Sequence, residues 1–126
     1  MSTNRLINTT AFPYRSGDLH PCQHSGFIVY GSTDKSIGYS TFYWYFENNN
    51  TDAPVVMWVG NAFDKSSLLG LFEENGPLMV ERNGTGDNDF VLKARKNSWA
   101  DDYNLVYVDV AGNTGFSHST GNAKKM

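Results

Sequence analysis

Few side chains in this sequence that could attack a carbonyl or hold a metal stand in the company such chemistry needs. Ser117 and His118 pair a hydroxyl with an imidazole, the nucleophile and base of acyl transfer. Adjacent residues on a strand point to opposite faces, so this pairing is incidental. An attacking serine of the hydrolase type sits in a G-x-S-x-G turn between strand and helix. Gly31-Ser32, Gly38-Tyr39-Ser40 and Ser117 all lack that context. Cys22, flanked by His20 and His24, is the single cysteine, which excludes an internal disulfide and a cysteine-rich zinc site. A Cys-His metal centre would need further ligands at suitable spacing. Cys22 therefore reads as an ordinary thiol, and neither metal nor cofactor is expected. What remains is a turn. The apolar run Val55 to Val59 breaks at Gly60-Asn61, and a helical pattern follows. Such a junction presents unpaired backbone N–H groups to an anion.

The elements around that turn follow from residue type. Val55-Val56-Met57-Trp58-Val59 is β-branched and aromatic, which suits a covered strand. Leu68, Leu69, Leu71 and Phe72 predict the apolar face of a helix, with Glu73 and Glu74 beyond them. Asp64, Ser66 and Ser67 can cap its first amides, and Gly76-Pro77 stops it. Upstream, residues 1–23 are polar with two prolines and read as an extended arm. Phe27 to Tyr30 and the aromatic, alternating Tyr39 to Asn48 read as strands, separated by a turn at Gly31 to Asp34. Asn48 to Asp52 is a polar loop. Downstream, Leu78 to Glu81 and Phe90 to Arg95 read as a hairpin around Asn83 to Asp87. Leu105 to Val110 reads as a buried strand, and residues 120–126 as a frayed tail.

Totals narrow the field further. A chain of 126 residues has room for one domain and a modest core. The hydrophobic fraction of 40% and aromatic fraction of 14% are globular values. A net charge of −3 without a basic block argues against nucleic acid as partner. No apolar run approaches the roughly 20 residues of a membrane helix, and MSTNRLINTT lacks the apolar core of a secretory signal. Sequons at Asn8, Asn49 and Asn83 would suit a secreted protein. The aromatic stripe from Tyr39 to Phe46 reads as core before it reads as a stacking platform.

The stretch Pro54 to Pro77 resembles the oxyanion-hole region of the serine carboxypeptidases, written W-L-N-G-G-P-G-C-S-S and followed by a helix ending E-x-G-P. Trp58, Ser66, Ser67, Gly70, Glu74, Gly76 and Pro77 match in ungapped register, whereas Gly60 to Lys65 departs from the glycine-rich centre. Lys65 replaces a cysteine that pairs over long range in the family. The likeness extends to Phe12-Pro13, to Gln23 to Phe27 (Q-Y-S-G-Y/F), to Thr41 to Glu47 (H-Y-W-F-F-E-S), to Asn97-Ser98-Trp99, and to Gly115 to Ser119 (G-F-S-Y-S). Together these span roughly residues 12–119.

The resemblance implies an α/β fold: the N-terminal part of an α/β-hydrolase mixed sheet with one main helix after the oxyanion-loop strand, over residues 24–119. It implies that Ala62 is the backbone donor to an oxyanion. It also implies that Trp58, Gly60 and Glu74 occupy the positions that grip a peptide's C-terminal carboxylate, with Gly60 where the family has Asn and Asn61, one residue later, as the candidate stand-in. In the family that Glu is protonated, so that it donates a hydrogen where a charged carboxylate would repel. The family's nucleophile motif, G-E-S-Y-A/G-G, follows G-F-S-Y-S further along, so the catalytic Ser, Asp and His are expected outside these residues. Its members are secreted, lysosomal or vacuolar. Two readings stay open: a serine-type carboxypeptidase fragment inactive alone, or a non-catalytic relative serving as an interaction module. On either, strand Val55–Val59 is expected to present a bare apolar edge to a partner or a second copy.

Overall fold

The structure, a computed structural model, describes residues 2–6, 15–16, 22–31, 38–60, 65–87, 89–110 and 114–120. Most of these lie in strands of two mixed sheets with little helix, compatible with part of an α/β fold. In the larger sheet, β1 (Ser2–Leu6), β3 (Gln23–Gly31), β4 (Gly38–Phe46), β8 (Asn104–Val108) and β5 (Val55–Val59) lie side by side in that order. β9 (His118–Thr120) pairs with the start of β4. The smaller sheet joins β2 (Arg15–Ser16), β7 (Phe90–Ala94) and β6 (Leu78–Arg82).

Alternation in β4 sets the core. Phe42, Trp44 and Phe46 point inward and are buried, while Thr41, Tyr43 and Tyr45 take the other face. Register carries this division across the sheet: Trp44 stands opposite Tyr107 and Phe46 opposite Leu105, all four buried. β8 runs antiparallel to β4 and parallel to β5, so the sheet is mixed at its centre. Val56 and Trp58 of β5 share the core face with Leu105 and Tyr107. Leu68, Leu71, Leu78 and Ala100 complete that core. β5 ends the strand order, and its alternate residues Val55 and Met57 are 66% and 63% exposed.

The helix after β5 is shorter than its sequence pattern predicts. Leu68 and Leu69 begin it, and Gly70–Glu74 form a single π turn closed by the Asn75 N–H on the Gly70 carbonyl at 3.0 Å. Leu68 and Leu71 are buried and Phe72 half-buried, but Leu69 faces solvent. One short turn has only one inward side, and Leu69 falls off it. Its C-terminal carbonyls are held from outside: Arg95 donates Nε–H to the Gly76 carbonyl at 2.9 Å and Nη2–H to that of Phe72 at 2.6 Å.

The β6–β7 hairpin forms as its alternation suggests, with Leu78 opposite Ala94 and Val80 opposite Leu92. The strands expected at Phe27–Tyr30, Tyr39–Asn48 and Leu105–Val110 are found with shifted ends, and Val55–Val59 with the ends read from its sequence.

Candidate functional site at the turn after strand β5

The turn is closed at its base. The Gly60 N–H donates to Ser67 Oγ, seven residues further on, at 2.8 Å. Ser67 Oγ in turn donates to the Val108 carbonyl on the neighbouring strand. A Cβ on Gly60 would lie 3.2 Å from Ser67 N and Cα, so a glycine suits this approach.

Asp109 anchors the far side. It follows β8 directly and is 2% exposed. Its Oδ1 accepts the Ser67 N–H at 2.8 Å and the Ser66 hydroxyl at 2.9 Å. Its Oδ2 accepts the Phe116 N–H at 3.2 Å. A buried carboxylate is tolerated only with such donors around it. Ser66 Oγ also accepts the Leu68 N–H at 3.2 Å, and so caps the helical turn. Gly115, at φ 53°, lets the 114–117 turn come against Asp109, where a Cβ would sit 2.0 Å from Oδ2. Beneath, Ser117 Oγ donates to the Asp109 carbonyl at 2.6 Å and accepts the Phe42 N–H at 2.7 Å. Three chain segments thus meet at one carboxylate.

Trp58 lies on the other side of the short helix. A Cβ on Gly70 would stand 2.3 Å from Trp58 Nε1, so the indole packs directly on the glycine backbone. Trp99 meets the Trp58 ring edge-on, with centroids 5.8 Å apart. Tyr107, Trp58's partner in the β5–β8 register, is fully buried and donates its hydroxyl to Asn75 Oδ1 at 2.7 Å. Burial pushes its phenol well above the usual tyrosine range; nearby Arg95 opposes the shift and Glu74 adds to it.

Of the residues matched to the carboxylate grip, Trp58 and Gly60 are half-buried on β5 and its turn, and Glu74 is exposed at the end of the π turn. Asn61 and the oxyanion candidate Ala62 lie outside the described residues, as do Asp64, Asn8 and His20. Asn49 and Asn83 are exposed in turns. His24 pairs with Glu47 at 3.4 Å. Ser117 is buried in the network above, while His118 is exposed and stacks edge-on against Phe27. Among the described residues no group of three or more His, Cys, Asp or Glu could hold a metal ion.

Asp109 was hidden within a strand read as Leu105 to Val110. An acid inside an apolar run is itself a signal, because burial obliges it to find donors elsewhere in the chain.

The serine carboxypeptidase family model matches residues 13–126. The chain is 35% identical over 96 residues to the vitellogenic carboxypeptidase of Aedes aegypti, covering 75% of this chain and 18% of that protein. It is 36% identical over 101 residues to carboxypeptidase Y homolog A of Phaeosphaeria nodorum, covering 79% and 17%. With the venom serine carboxypeptidase of Apis mellifera it shares 36% identity over 96 residues, covering 75% and 19%. The chain spans under a fifth of the length of these relatives.

Proposed function

The chain belongs to the serine carboxypeptidase family as its N-terminal portion, and on that premise we propose that it supplies the oxyanion-side half of a peptidase site. The peptidase releases C-terminal residues from peptides by acyl-enzyme chemistry on an α/β-hydrolase sheet. The Ala62 N–H stabilises the oxyanion of the tetrahedral intermediate. Trp58, Gly60, Asn61 and Glu74 take up the peptide's C-terminal carboxylate. The attacking serine, its histidine and its acid come from outside these 126 residues, so the chain alone does not hydrolyse peptides.

The observation that supports this reading is the closed base of the turn. Gly60 bonded to Ser67, and Ser66 and Ser67 bonded to Asp109, fix the described residues on either side of positions 61–64. An oxyanion donor contributes through such preorganisation, and losing one typically raises the barrier by about 3 to 4 kcal/mol. The test joins this chain to the remaining four-fifths of a curated relative and assays hydrolysis of an N-blocked dipeptide at acid pH. Turnover by the fusion and none by the chain alone supports the reading. A correctly folded but inactive fusion, judged by fluorophosphonate labelling of its serine, sinks it.

The exposed edge of β5 favours a second reading, a non-catalytic module that pairs this strand with another polypeptide. Val55, Met57 and Val59 are all exposed on a strand at the end of the sheet order. On that reading the serine of the fusion reacts with the fluorophosphonate, yet untreated fusion turns over no peptide, because Gly60 to Lys65 does not serve the oxyanion.

A further inference from the structure

We propose that Asn49 and Asn83 are N-glycosylation sites, each on an exposed turn that can carry a bulky glycan without disturbing the fold. The inference is independent of the peptidase reading. Both begin an Asn-x-Thr triplet, Asn49-Asn50-Thr51 and Asn83-Gly84-Thr85.

The first turn separates its three consecutive asparagines by role. Asn48 donates Nδ2–H to the Ala100 carbonyl at 2.7 Å and accepts the Asn50 N–H at 2.7 Å. Asn50 accepts the Asp52 N–H on Oδ1 at 3.1 Å. Both flanking carboxamides are committed to holding the turn. Asn49 is exposed, and no hydrogen bond ties its carboxamide to the described residues. The middle asparagine alone carries the threonine at +2, so the residue the structure leaves accessible is the residue the triplet marks.

The second site tops the β6–β7 hairpin. The Asn83 N–H donates to the Asp89 carbonyl at 2.7 Å, and Asp89 Oδ2 accepts the Gly86 N–H at 2.9 Å. Backbone and Asp89 hold this turn while Asn83, Gly84 and Thr85 all face solvent. Topology keeps both sites clear of the turn cluster. Asn49 precedes β5, and Gly60 and Asp109 follow the parallel strands β5 and β8, at the opposite end of the sheet. Asn83 is on the smaller sheet, at the hairpin end away from the Gly76-Pro77 junction.

The co-reactant is an oligosaccharide linked through pyrophosphate to a lipid. The asparagine Nδ2 attacks the anomeric carbon, forming an N–C bond as the C–O bond to pyrophosphate breaks. The lipid pyrophosphate leaves with that electron pair, and one amide proton is lost to a base.

The test directs the full chain through a eukaryotic secretory pathway with an added leader and a C-terminal tail carrying a control sequon. Secreted chain with a glycosylated tail is treated with peptide-N-glycosidase in heavy-oxygen water, and its peptides are mapped by mass. Expected is heavy Asp at positions 49 and 83. Thr51→Ala is expected to abolish the label at 49 alone, and Thr85→Ala that at 83 alone. Asn49→Gln and Asn83→Gln repeat the comparison. An unlabelled Asn49 or Asn83 beside a labelled tail overturns the proposal for that site, as does label that survives loss of its threonine.

Discussion

Asp109 accepts the backbone N–H of Ser67 at 2.8 Å across 42 residues of sequence, and this bond ties the end of β8 to the start of the helical turn. The same carboxylate holds Ser66 and Phe116, so one side chain orders both loops that flank the candidate site.

Removing that carboxylate leaves buried donors without acceptors. Asp109→Ala is expected to lower stability by about 3 kcal/mol or more, and Asp109→Asn by about 2 kcal/mol, since an amide turns donors toward donors. Urea unfolding followed by tryptophan fluorescence measures both. Loss below about 0.5 kcal/mol in the alanine variant would show that the cluster is not buried as described.

Gly70→Ala places a methyl against the Trp58 indole, at 2.3 Å from Nε1 before relaxation. Overpacking of this kind costs roughly 1 to 3 kcal/mol, and the shift of Trp58 should change the fluorescence maximum. An unchanged urea midpoint and spectrum would contradict the packing of Trp58 on the helix.

Alkaline pH should weaken the fold through Tyr107. Its phenol is raised chiefly by burial, so the folded chain keeps a proton that the unfolded chain releases near pH 10. The stabilisation is complete below about pH 10 and falls as pH rises further toward the folded pKa. Tyr45 is shifted the same way, by burial and then by Glu47. Tyr107→Phe should unfold at a temperature that depends less on pH between about pH 9 and about pH 11 than that of the parent chain. An equally steep dependence would show that Tyr107 is not responsible.

The β5 edge should drive self-association. Met57→Lys puts a charge where an exposed methionine now stands, and the effect is read by sedimentation. A shift toward monomer is expected. An already monomeric parent at the concentrations used would remove the argument for pairing at this edge.

Strands were legible where one residue type dominates: the alternation of Thr41 to Phe46 and the apolar run Val55 to Val59 leave few other structures open. The helix was overestimated, because Leu68, Leu69, Leu71 and Phe72 fit a longer amphipathic pattern that tertiary packing cuts to a single π turn. The position of the candidate turn could be read from Gly60 and the Ser66-Ser67 pair. Its anchoring could not, since Asp109 and Gly115 reach it only through the sheet, and no local spacing encodes a contact of that separation.

The most direct test of the account is exposure of the purified chain, alone, to a serine-directed fluorophosphonate, with intact mass and hydrolysis of a blocked dipeptide at acid pH read together. Unmodified mass and no turnover are expected. A phosphonylated serine accompanied by turnover that the reagent abolishes would contradict it.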